Sequence, residues 1–293
     1  MSSAAGPGPR GYLTIAAGKP RFLEMAVDMA LSLREHTPLP IALATDASLE
    51  GAARDRYGPV FDVVTLVPER FLDGRGLKYG SAEASPFEET MFVDADCFVL
   101  GSLEPWWSPL SKHDMAMLGE QLTPRDDENH HGFSTRSLMR RFGLDRYLKT
   151  NSGIFCFRRS AAVGIMEDCL VCYREEIRPK LRLSILLGRW VGDEIAFGIV
   201  GGRLGLGTLP LPHPMYWPQE FESLDPARPS KPLLHMIWPP TEPVLDALLA
   251  AALERRRTAG VPGDASEHWR DEVRDLRRMA GRRRTLERLR VWK

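Results

Sequence analysis

Two aspartates, Asp94 and Asp96, follow an apolar stretch that predicts a β-strand over residues 90–93. Alternate side chains of a strand project to the same side, so both carboxylates can face one point beyond the strand end. Neighbouring carboxylates repel each other unless a cation lies between them, and carboxylate oxygens suit hard divalent ions. The pair therefore indicates a divalent cation that also binds a diphosphate, although an Asp-X-Asp pair alone occurs by chance in soluble proteins.

Alternating strand and helix patterns precede this pair. Residues 11–18 and 38–46 predict strands, and the residues between them carry apolar side chains at helical spacing. A helix over 49–57 and a strand over 62–68 repeat the pattern. Such repetition predicts a parallel sheet with crossover helices, as in nucleotide-binding α/β domains.

The second half of the chain contains a polar insert over residues 121–150, after an apolar piece at 115–118. An insert of this length in a compact domain is typical of functional or disordered segments. Further elements are expected in chain order: a strand over 153–159, a helix over 161–177, a helix from about 193, strands over 206–211 and 232–238, and a helix over 243–257.

The composition of the 293-residue chain excludes some classes of partner. Basic and acidic residues number 39 each, so the overall basic bias of many nucleic-acid binders is missing. No segment approaches the roughly 20 apolar residues of a membrane span, and residues 1–10 lack the apolar run of a signal peptide. We therefore expect a cytoplasmic protein without a nucleic-acid partner. Four scattered cysteines predict free thiols, including Cys169 and Cys172 on one helix face.

These ordered features resemble the GT-A fold glycosyltransferases, most of all the retaining family 8 enzymes such as glycogenin and bacterial lipopolysaccharide galactosyltransferases. The similarity covers about residues 11–238 and is carried by LTIAAG, ATD, the lysine at position 78, SPFEETMFVDAD, NSGIFCF, GDEIAF and LLHMIW. It implies an α/β fold whose mostly parallel, Rossmann-like central sheet is flanked by helices. It also implies transfer of a hexose from a nucleotide-diphosphate sugar, expected to be a UDP-sugar, to an acceptor hydroxyl.

The resemblance implies that Asp94, Asp96 and His235 together bind Mn2+ or Mg2+, and that Ala95 lines the donor site between the two acids. An imidazole beside two carboxylates favours Mn2+, because imidazole suits transition metals. A histidine with satisfied hydrogen bonds in a buried strand is the alternative for His235.

The donor nucleotide is expected at the first two strands. The resemblance places its base and ribose near Thr14, Ile15 and Ala16. Asp46 matches an acid that accepts hydrogen bonds from ribose hydroxyls, or is a simple turn residue at a strand end. Lys78 matches a basic residue whose ammonium offsets donor charge, or is a surface lysine without a role.

The transferred sugar is expected near two further segments. Asn151, Ser152 and Gly153 match a turn that lines the sugar and acceptor pocket, where glycine permits close backbone approach. A tight turn before a strand is the alternative. Asp193 and Glu194 match a segment that contacts the transferred sugar, and a helix N-cap would also explain Asp193.

One departure from the family pattern concerns the phosphate clamp. The family histidine is followed by a glycine and then by Lys-Pro-Trp, whereas His235 is followed by MIWPPTEP. Lys231 or an arginine within residues 125–146 is a candidate substitute. Retention is expected from the resemblance and would need no protein base, because a phosphate oxygen can take the proton, whereas inversion would require a carboxylate such as Asp193 or Glu194.

Two other functions fit part of the pattern. A sugar-phosphate nucleotidyltransferase should carry a Gly-rich, Arg-containing first loop, where this chain has AAGKPRF. A non-catalytic nucleotide-sugar-binding protein of the same fold would explain the missing clamp lysine. The acceptor stays open among glycan, lipid-linked, protein and small-metabolite hydroxyls, and Trp106, Trp107 and Trp217 are either stacking residues or buried tryptophans.

Residues 1–245 are predicted to form the catalytic domain and residues 246–293 a basic helical tail. From residue 255 to the end there are 13 basic and 6 acidic residues, a net charge of +7. A solvated helix face or peripheral contact with an anionic membrane would explain this charge. The same segment carries an apolar stripe that consists of Val273, Leu276, Met279 and Ala280. This stripe would dock on the main domain or on a second subunit of a homodimer.

Overall fold

Seven of the described strands form one sheet that organises the protein. The computed structural model describes residues 9–73, 76–182 and 192–290, with side chains described as far as residue 280. The strands are β1 (Arg10–Ala16), β2 (Ile41–Thr45), β3 (Val63–Leu66), β4 (Glu89–Val93), β5 (Cys97–Val99), β6 (Met115–Leu122), β7 (Asn129–His130), β8 (Phe133–Ser134), β9 (Tyr147–Arg158), β10 (Gly207–Thr208) and β11 (Leu233–His235).

The predicted mostly parallel sheet is confirmed. β1 pairs in parallel with β2 and β4, β2 with β3, and β10 with β6. β9 runs antiparallel to both of its neighbours, β4 and β6. β5 and β11 form a separate antiparallel pair, and β7 and β8 form a hairpin.

Helices cover both faces of the sheet. The described helices are Pro20–Arg34, Ala47–Tyr57, Ser81–Ala84, Thr135–Phe142, Arg159–Val171 with its continuation to Lys180, Asp193–Leu204, Glu242–Thr258 and Ala265–Arg290. We call Pro20–Arg34 the first helix, Asp193–Leu204 the Asp193 helix and Ala265–Arg290 the C-terminal helix. The Asp193 helix packs on one face against Phe155, and the first helix packs on the other face beneath Leu43.

The Asp193 helix lies unusually close to β9. A Cβ atom on Gly198 would come within 2.4 Å of the Tyr147 ring, so only glycine fits at this contact. Gly205 ends the helix with φ of 65°, the left-handed conformation that glycine adopts without steric cost. This close packing brings the N-terminus of the helix, with Asp193 and Glu194, beside the middle of β9.

β9 also corrects a prediction. Asn151, Ser152 and Gly153 do not form a turn before a strand, because β9 already begins at Tyr147. Asn151 pairs with Leu118 of β6, but the next pair joins residues 155 and 117, so residues 152–154 form a bulge. A bulge redirects side chains, and this one lies beside the end of β4.

The polar insert is ordered secondary structure in this fold. It comprises the end of β6, the β7–β8 hairpin, the helix Thr135–Phe142 and the start of β9. Ser134 caps that helix by accepting a hydrogen bond from the backbone of Ser137, and Gly143 ends it with φ of 64°.

The C-terminal helices pack against the first helix. Leu245 and Trp269 are buried in a shared apolar cluster with Met25 of the first helix. The helix Glu242–Thr258 spans the boundary predicted after residue 245. Of the predicted stripe, Val273, Leu276 and Ala280 are buried, whereas Met279 is 50% exposed.

Charge on the described part of the C-terminal segment is extensively paired. Arg270 contacts Asp246 and Glu242, and Arg277 contacts Glu242. Within the described residues, no helix has both the length and the apolar character needed to cross a membrane. The four cysteines are free and buried, as predicted.

Candidate metal and donor site

Asp94 and Asp96 lie in a tight connection between β4 and β5. The Asp94 amide donates to the Gly153 carbonyl at 2.9 Å, which continues the pairing of β4 with β9. The Cys97 amide donates to the Asp94 carbonyl at 3.2 Å and closes the turn around Ala95. Backbone hydrogen bonds therefore fix the turn that carries both acids at the carboxyl end of β4, a central strand of the sheet.

His235 reaches this turn from a distant part of the chain. β11 pairs antiparallel with β5 and places His235 opposite Cys97. The Met236 amide donates to the Asp96 carbonyl at 2.9 Å. As a result, His235 Nε2 lies 3.1 Å from Asp96 Oδ1 and 3.4 Å from Asp94 Oδ2.

Gly153 makes room for the imidazole. A Cβ atom at position 153 would lie 2.4 Å from His235 Nδ1 and 2.9 Å from Asn151 Oδ1. The Asn151 side chain also accepts a hydrogen bond from the Gly153 amide at 2.9 Å, which holds the bulge in shape. Gly153 thus allows β9 to contact the His235 ring directly.

Burial opposes charge throughout this cluster. It raises the pKa of Asp94 to about 6, an effect that Lys78 opposes and that repulsion from Asp96 strengthens. Burial would also raise the pKa of Asp96 and lower that of His235. The attraction between Asp96 and His235 outweighs the effect of burial, so the pKa of Asp96 is lowered and that of His235 is raised.

The residues fit a divalent cation. Two carboxylate oxygens and the Nε2 nitrogen of His235 converge on one point. The Cys97 sulfur also lies close to Asp96 and His235. Burial raises the pKa of the Cys97 thiol well above its usual range, so it stays protonated and is a poor ligand. The oxygen and nitrogen set suits Mn2+ or Mg2+.

Lys78 contacts Asp94 on one side and Ser152 and Asp193 on the other. Its ammonium donates to Asp94 Oδ2 at 2.6 Å and to Ser152 Oγ at 2.8 Å, and lies 3.5 Å from Asp193 Oδ2. Burial would lower the pKa of Lys78, but the charges of Asp94 and Asp193 outweigh it and raise the pKa. Lys78 is therefore a charged residue inside the site, not a surface lysine.

Ser152 links the bulge of β9 to the Asp193 helix. Its hydroxyl donates to Asp193 Oδ2 at 2.8 Å, and its amide donates to Glu194 Oε1 at 2.9 Å. Asp193 is the first residue of its helix, and Gly192 occupies the N-cap position. The cap alternative for Asp193 is therefore wrong.

Two histidines that the sequence analysis left without a role contact Glu194. His131 Nε2 forms a hydrogen bond with Glu194 Oε2, and His130 Nε2 lies 3.5 Å from the same oxygen. Burial would raise the pKa of Glu194, but the hydrogen bonds with His130 and His131 outweigh it, so the pKa is lowered. The sequence gives no signal for this contact, because it forms only when the β7–β8 hairpin meets the Asp193 helix in the tertiary fold.

The residues predicted for the nucleotide lie at the ends of β1 and β2. Thr14, Ile15 and Ala16 pair with residues 43–45 of β2. Asp46 caps the helix Ala47–Tyr57 by accepting hydrogen bonds from the Ser48 and Leu49 amides. Its second oxygen accepts from the Gly18 amide at 2.5 Å and thereby ties down the loop after β1.

Other candidates lie in structural positions. Trp106 and Trp107 are buried in the apolar cluster on one face of the sheet, so an acceptor-stacking role is wrong for them. Trp217 is partly buried. The Lys231 ammonium donates to Glu220 Oε2 at 2.7 Å and to the Met215 carbonyl at 3.2 Å.

Comparisons with known proteins identify the fold. No family model and no curated protein matches the sequence. The structure of galactosyltransferase LgtC in complex with donor and acceptor sugar analogs is similar, with a TM-score of 0.55 and 14% identity over 89% of this chain and 99% of that one. An active-site mutant of LgtC matches equally well, with 15% identity, a TM-score of 0.55 and the same coverage. The bifunctional glycosyltransferase WbbM matches with a TM-score of 0.51 and 10% identity over 87% of this chain and 53% of that one. The chain therefore has the GT-A glycosyltransferase fold that the sequence resemblance predicted.

Proposed function

We propose that this protein is a glycosyltransferase that moves a hexose from a nucleotide-diphosphate sugar, expected to be a UDP-sugar, to an acceptor hydroxyl. The observation that carries the proposal is the convergence of Asp94, Asp96 and His235 from two distant segments at the carboxyl end of β4. Ligands of open α/β sheets bind beyond the carboxyl ends of the strands. The fold shared with LgtC, which was solved with donor and acceptor sugar analogs, supports the same substrate class.

Asp94, Asp96 and His235 would hold Mn2+ or Mg2+. When bound, the cation would neutralise charge on the departing diphosphate. Lys78 supplies a second, permanent positive charge next to the same carboxylates. It is also a better candidate than Lys231 for the missing phosphate clamp, because it lies beside Asp94, whereas Lys231 pairs with Glu220 in a different segment.

The sheet order supports a direction for the donor. β1 and β2, which carry Thr14, Ile15, Ala16 and Asp46, lie on one side of β4, and β9 lies on the other. A nucleotide at β1 and β2 would therefore extend its sugar across Asp94 toward Ser152 and the Asp193 helix. Asn151, Ser152, Asp193 and Glu194 are our candidates for contact with the sugar.

Hydrogen bonding around the carboxylates favours retention. Glu194 accepts from the Ser152 amide and from His131, and Asp193 accepts from Ser152 while facing Lys78. The partners of Glu194 lower its pKa, which weakens that carboxylate as a general base. Retention requires no such base, because a phosphate oxygen can take the acceptor proton.

Incubation with Mn2+ and a panel of nucleotide sugars tests the proposal, with released nucleotide as the readout. Wild-type protein should release a nucleoside diphosphate from one class of donor. Asp96→Asn and His235→Gln should each lower the rate on the order of 100-fold or more, because charge stabilisation at the leaving group is lost. Asp145→Asn, at an exposed aspartate before β9, is the matched control and should keep the wild-type rate.

The alternatives give different results in the same assay. Release of pyrophosphate from a nucleoside triphosphate and a sugar phosphate would identify a nucleotidyltransferase. Donor binding without release would identify a non-catalytic sugar-nucleotide-binding protein. Nucleotide release that is unchanged in Asp96→Asn would refute the cation assignment.

A further inference from the structure

The β7–β8 hairpin presents His131 in an unusual backbone conformation. The two turn residues, His131 and Gly132, have φ of 53° and 84°. Positive φ at both central residues is the type I′ pattern, in which Asn-Gly is the usual sequence. A left-handed conformation is sterically unfavourable for L-residues. Histidine at this position therefore suggests that its side chain is needed there.

The imidazole of His131 is held in one orientation. Its Nε2 bonds to Glu194 Oε2, and its ring packs on His130 with 4.6 Å between centroids. Glu194 is in turn fixed by the Ser152 amide. The His131 side chain nevertheless keeps 24% of its surface exposed, so a ligand can reach it.

His130 packs against the His131 ring and is itself fixed by two hydrogen bonds. Its Nε2 lies 3.0 Å from the Thr150 carbonyl, which can only accept, so Nε2 carries the proton. Its Nδ1 then accepts from the Tyr147 hydroxyl at 2.7 Å. With both nitrogens engaged, His130 has no lone pair to offer a cation. His130, His131 and Glu194 therefore form a hydrogen-bonded platform and not a second metal site, although their atoms are close enough for one.

The position of the platform relative to the sheet indicates its ligand. Glu194 and Ser152 lie on the β9 side of Asp94, opposite the nucleotide residues of β1 and β2. On the proposed function, this is the side toward which the sugar end of the donor and the incoming acceptor extend. With Nε2 bonded to Glu194, the Nδ1 of His131 can form a hydrogen bond with a substrate hydroxyl, which both donates and accepts.

We propose that His131, oriented by Glu194, is a sugar-binding residue whose imidazole Nδ1 forms a hydrogen bond with a substrate hydroxyl. The inference rests on the proposed function and adds a contact on its sugar side. The hydroxyl belongs to either the transferred sugar or the acceptor, and the experiment separates these two sources.

The test variant is His131→Asn, because Asn-Gly is the preferred type I′ turn and keeps the hairpin folded. Its melting temperature should equal or exceed that of wild type. His131→Ala is the second variant. Both proteins should bind the nucleoside diphosphate product with Mn2+ as tightly as wild type, as measured by calorimetry, since that ligand has no sugar.

The two sources of the hydroxyl predict different losses. Contact with the transferred sugar predicts that both variants bind the intact donor about 10-fold more weakly, the effect of one lost hydrogen bond near charge. Contact with the acceptor predicts unchanged donor binding and an acceptor KM raised about 10-fold. Wild-type donor affinity together with a wild-type acceptor KM in both variants would overturn the inference.

Failure of this inference is distinguishable from failure of the proposed function. If His131→Asn behaves like wild type while Asp96→Asn abolishes turnover, only the role of His131 is wrong. If no nucleotide sugar binds wild-type protein in the presence of Mn2+, both proposals are overturned together.

Discussion

At the scale of single residues, the site depends on how closely Gly153 and His235 approach each other. The imidazole occupies the space that any side chain at position 153 would fill. His235 is fixed on its other side by Asp96 and by the pairing of β11 with β5. Neither backbone has room to move without breaking strand pairing.

We expect Gly153→Ala to displace the imidazole, because its Cβ would lie 2.4 Å from His235 Nδ1. Overpacking of this kind costs about 1–3 kcal/mol of stability. The rate of nucleotide release should fall on the order of 100-fold through loss of the cation ligand. Gly164→Ala is the control, since a Cβ there meets nothing within 4 Å. A Gly153→Ala protein with the wild-type Mn2+ dependence of turnover would contradict the packing argument.

Lys78 gives a second prediction at this scale. Lys78→Met leaves Asp94 and Asp193 buried without their shared counter-charge, which should destabilise the protein by about 3–5 kcal/mol. A bound cation would replace part of that charge. Addition of Mn2+ should therefore raise the melting temperature more in Lys78→Met than in wild type.

Lys231→Met is the matched control for this experiment. Its lysine pairs with Glu220 in a different segment, so its response to Mn2+ should equal that of wild type. An Mn2+ response in Lys78→Met no greater than in wild type would argue against a cation next to Asp94.

At the scale of elements, the Asp193 helix and β9 must remain in contact for the sugar side to form. Gly198 allows this contact, and the bulge of β9 turns Ser152 toward the helix. The sequence predicted a helix beginning near Asp193, and the structure confirms it. The bulge was not predictable, because it arises from pairing with β6, which lies about thirty residues earlier in the chain.

Gly198→Ala should push the Asp193 helix away from Tyr147 and separate Asp193 from Ser152. We expect a loss of about 1–3 kcal/mol in the free energy of unfolding by urea. Turnover should fall by a larger factor than affinity for the nucleoside diphosphate, since the helix faces the sugar. Gly51→Ala, in a helix position with nothing within 4 Å, is the control. Equal losses of turnover and nucleotide affinity would contradict the proposal that the Asp193 helix lies on the sugar side of the site and not on the nucleotide side.

The arrangement of Asp94 and Asp96 was predictable for a local reason, and the contacts of His130 and His131 with Glu194 were not. Asp94 and Asp96 stand two apart at a strand end, so their shared direction follows from strand geometry alone. His235 required the family resemblance, since it meets the acids only through β11. His131 contacts Glu194 across a hairpin and a helix, and no spacing in the sequence encodes that contact.

At the scale of the whole molecule, the C-terminal helices pack against β5 and β11, the two short strands beside the site. Trp269 packs on Phe98, two residues after Asp96, with ring centroids 4.4 Å apart. Met236, which follows His235, lies in the same apolar cluster as Val273 and Leu276 of the C-terminal helix. The segment predicted as a tail therefore shares its core with the neighbours of Asp96 and His235.

Asp28 of the first helix anchors these C-terminal helices. It accepts hydrogen bonds from Arg256 Nε and from Trp269 Nε1, and lies 2.9 Å from His268 Nε2. Asp28→Ala would leave the Arg256 charge buried without this partner and should cost about 3–5 kcal/mol. We expect urea unfolding to remain a single transition at a lower midpoint.

Asp246→Ala, which removes an exposed partner of Arg270, should cost less than about 1 kcal/mol and is the control. A separate early transition for the C-terminal helices in Asp28→Ala would show that they form an independent unit. That result would favour the domain boundary predicted from the sequence after residue 245.

The most direct test of the account is a titration of the protein with Mn2+, followed by electron paramagnetic resonance in the presence of UDP. The account predicts one bound Mn2+ per chain in wild type and in Asp145→Asn. It predicts that Asp96→Asn and His235→Gln each weaken the binding at least about 10-fold, because each removes one of three protein ligands. Unchanged Mn2+ affinity in both of these variants would contradict the claim that the two aspartates and the histidine hold a catalytic cation.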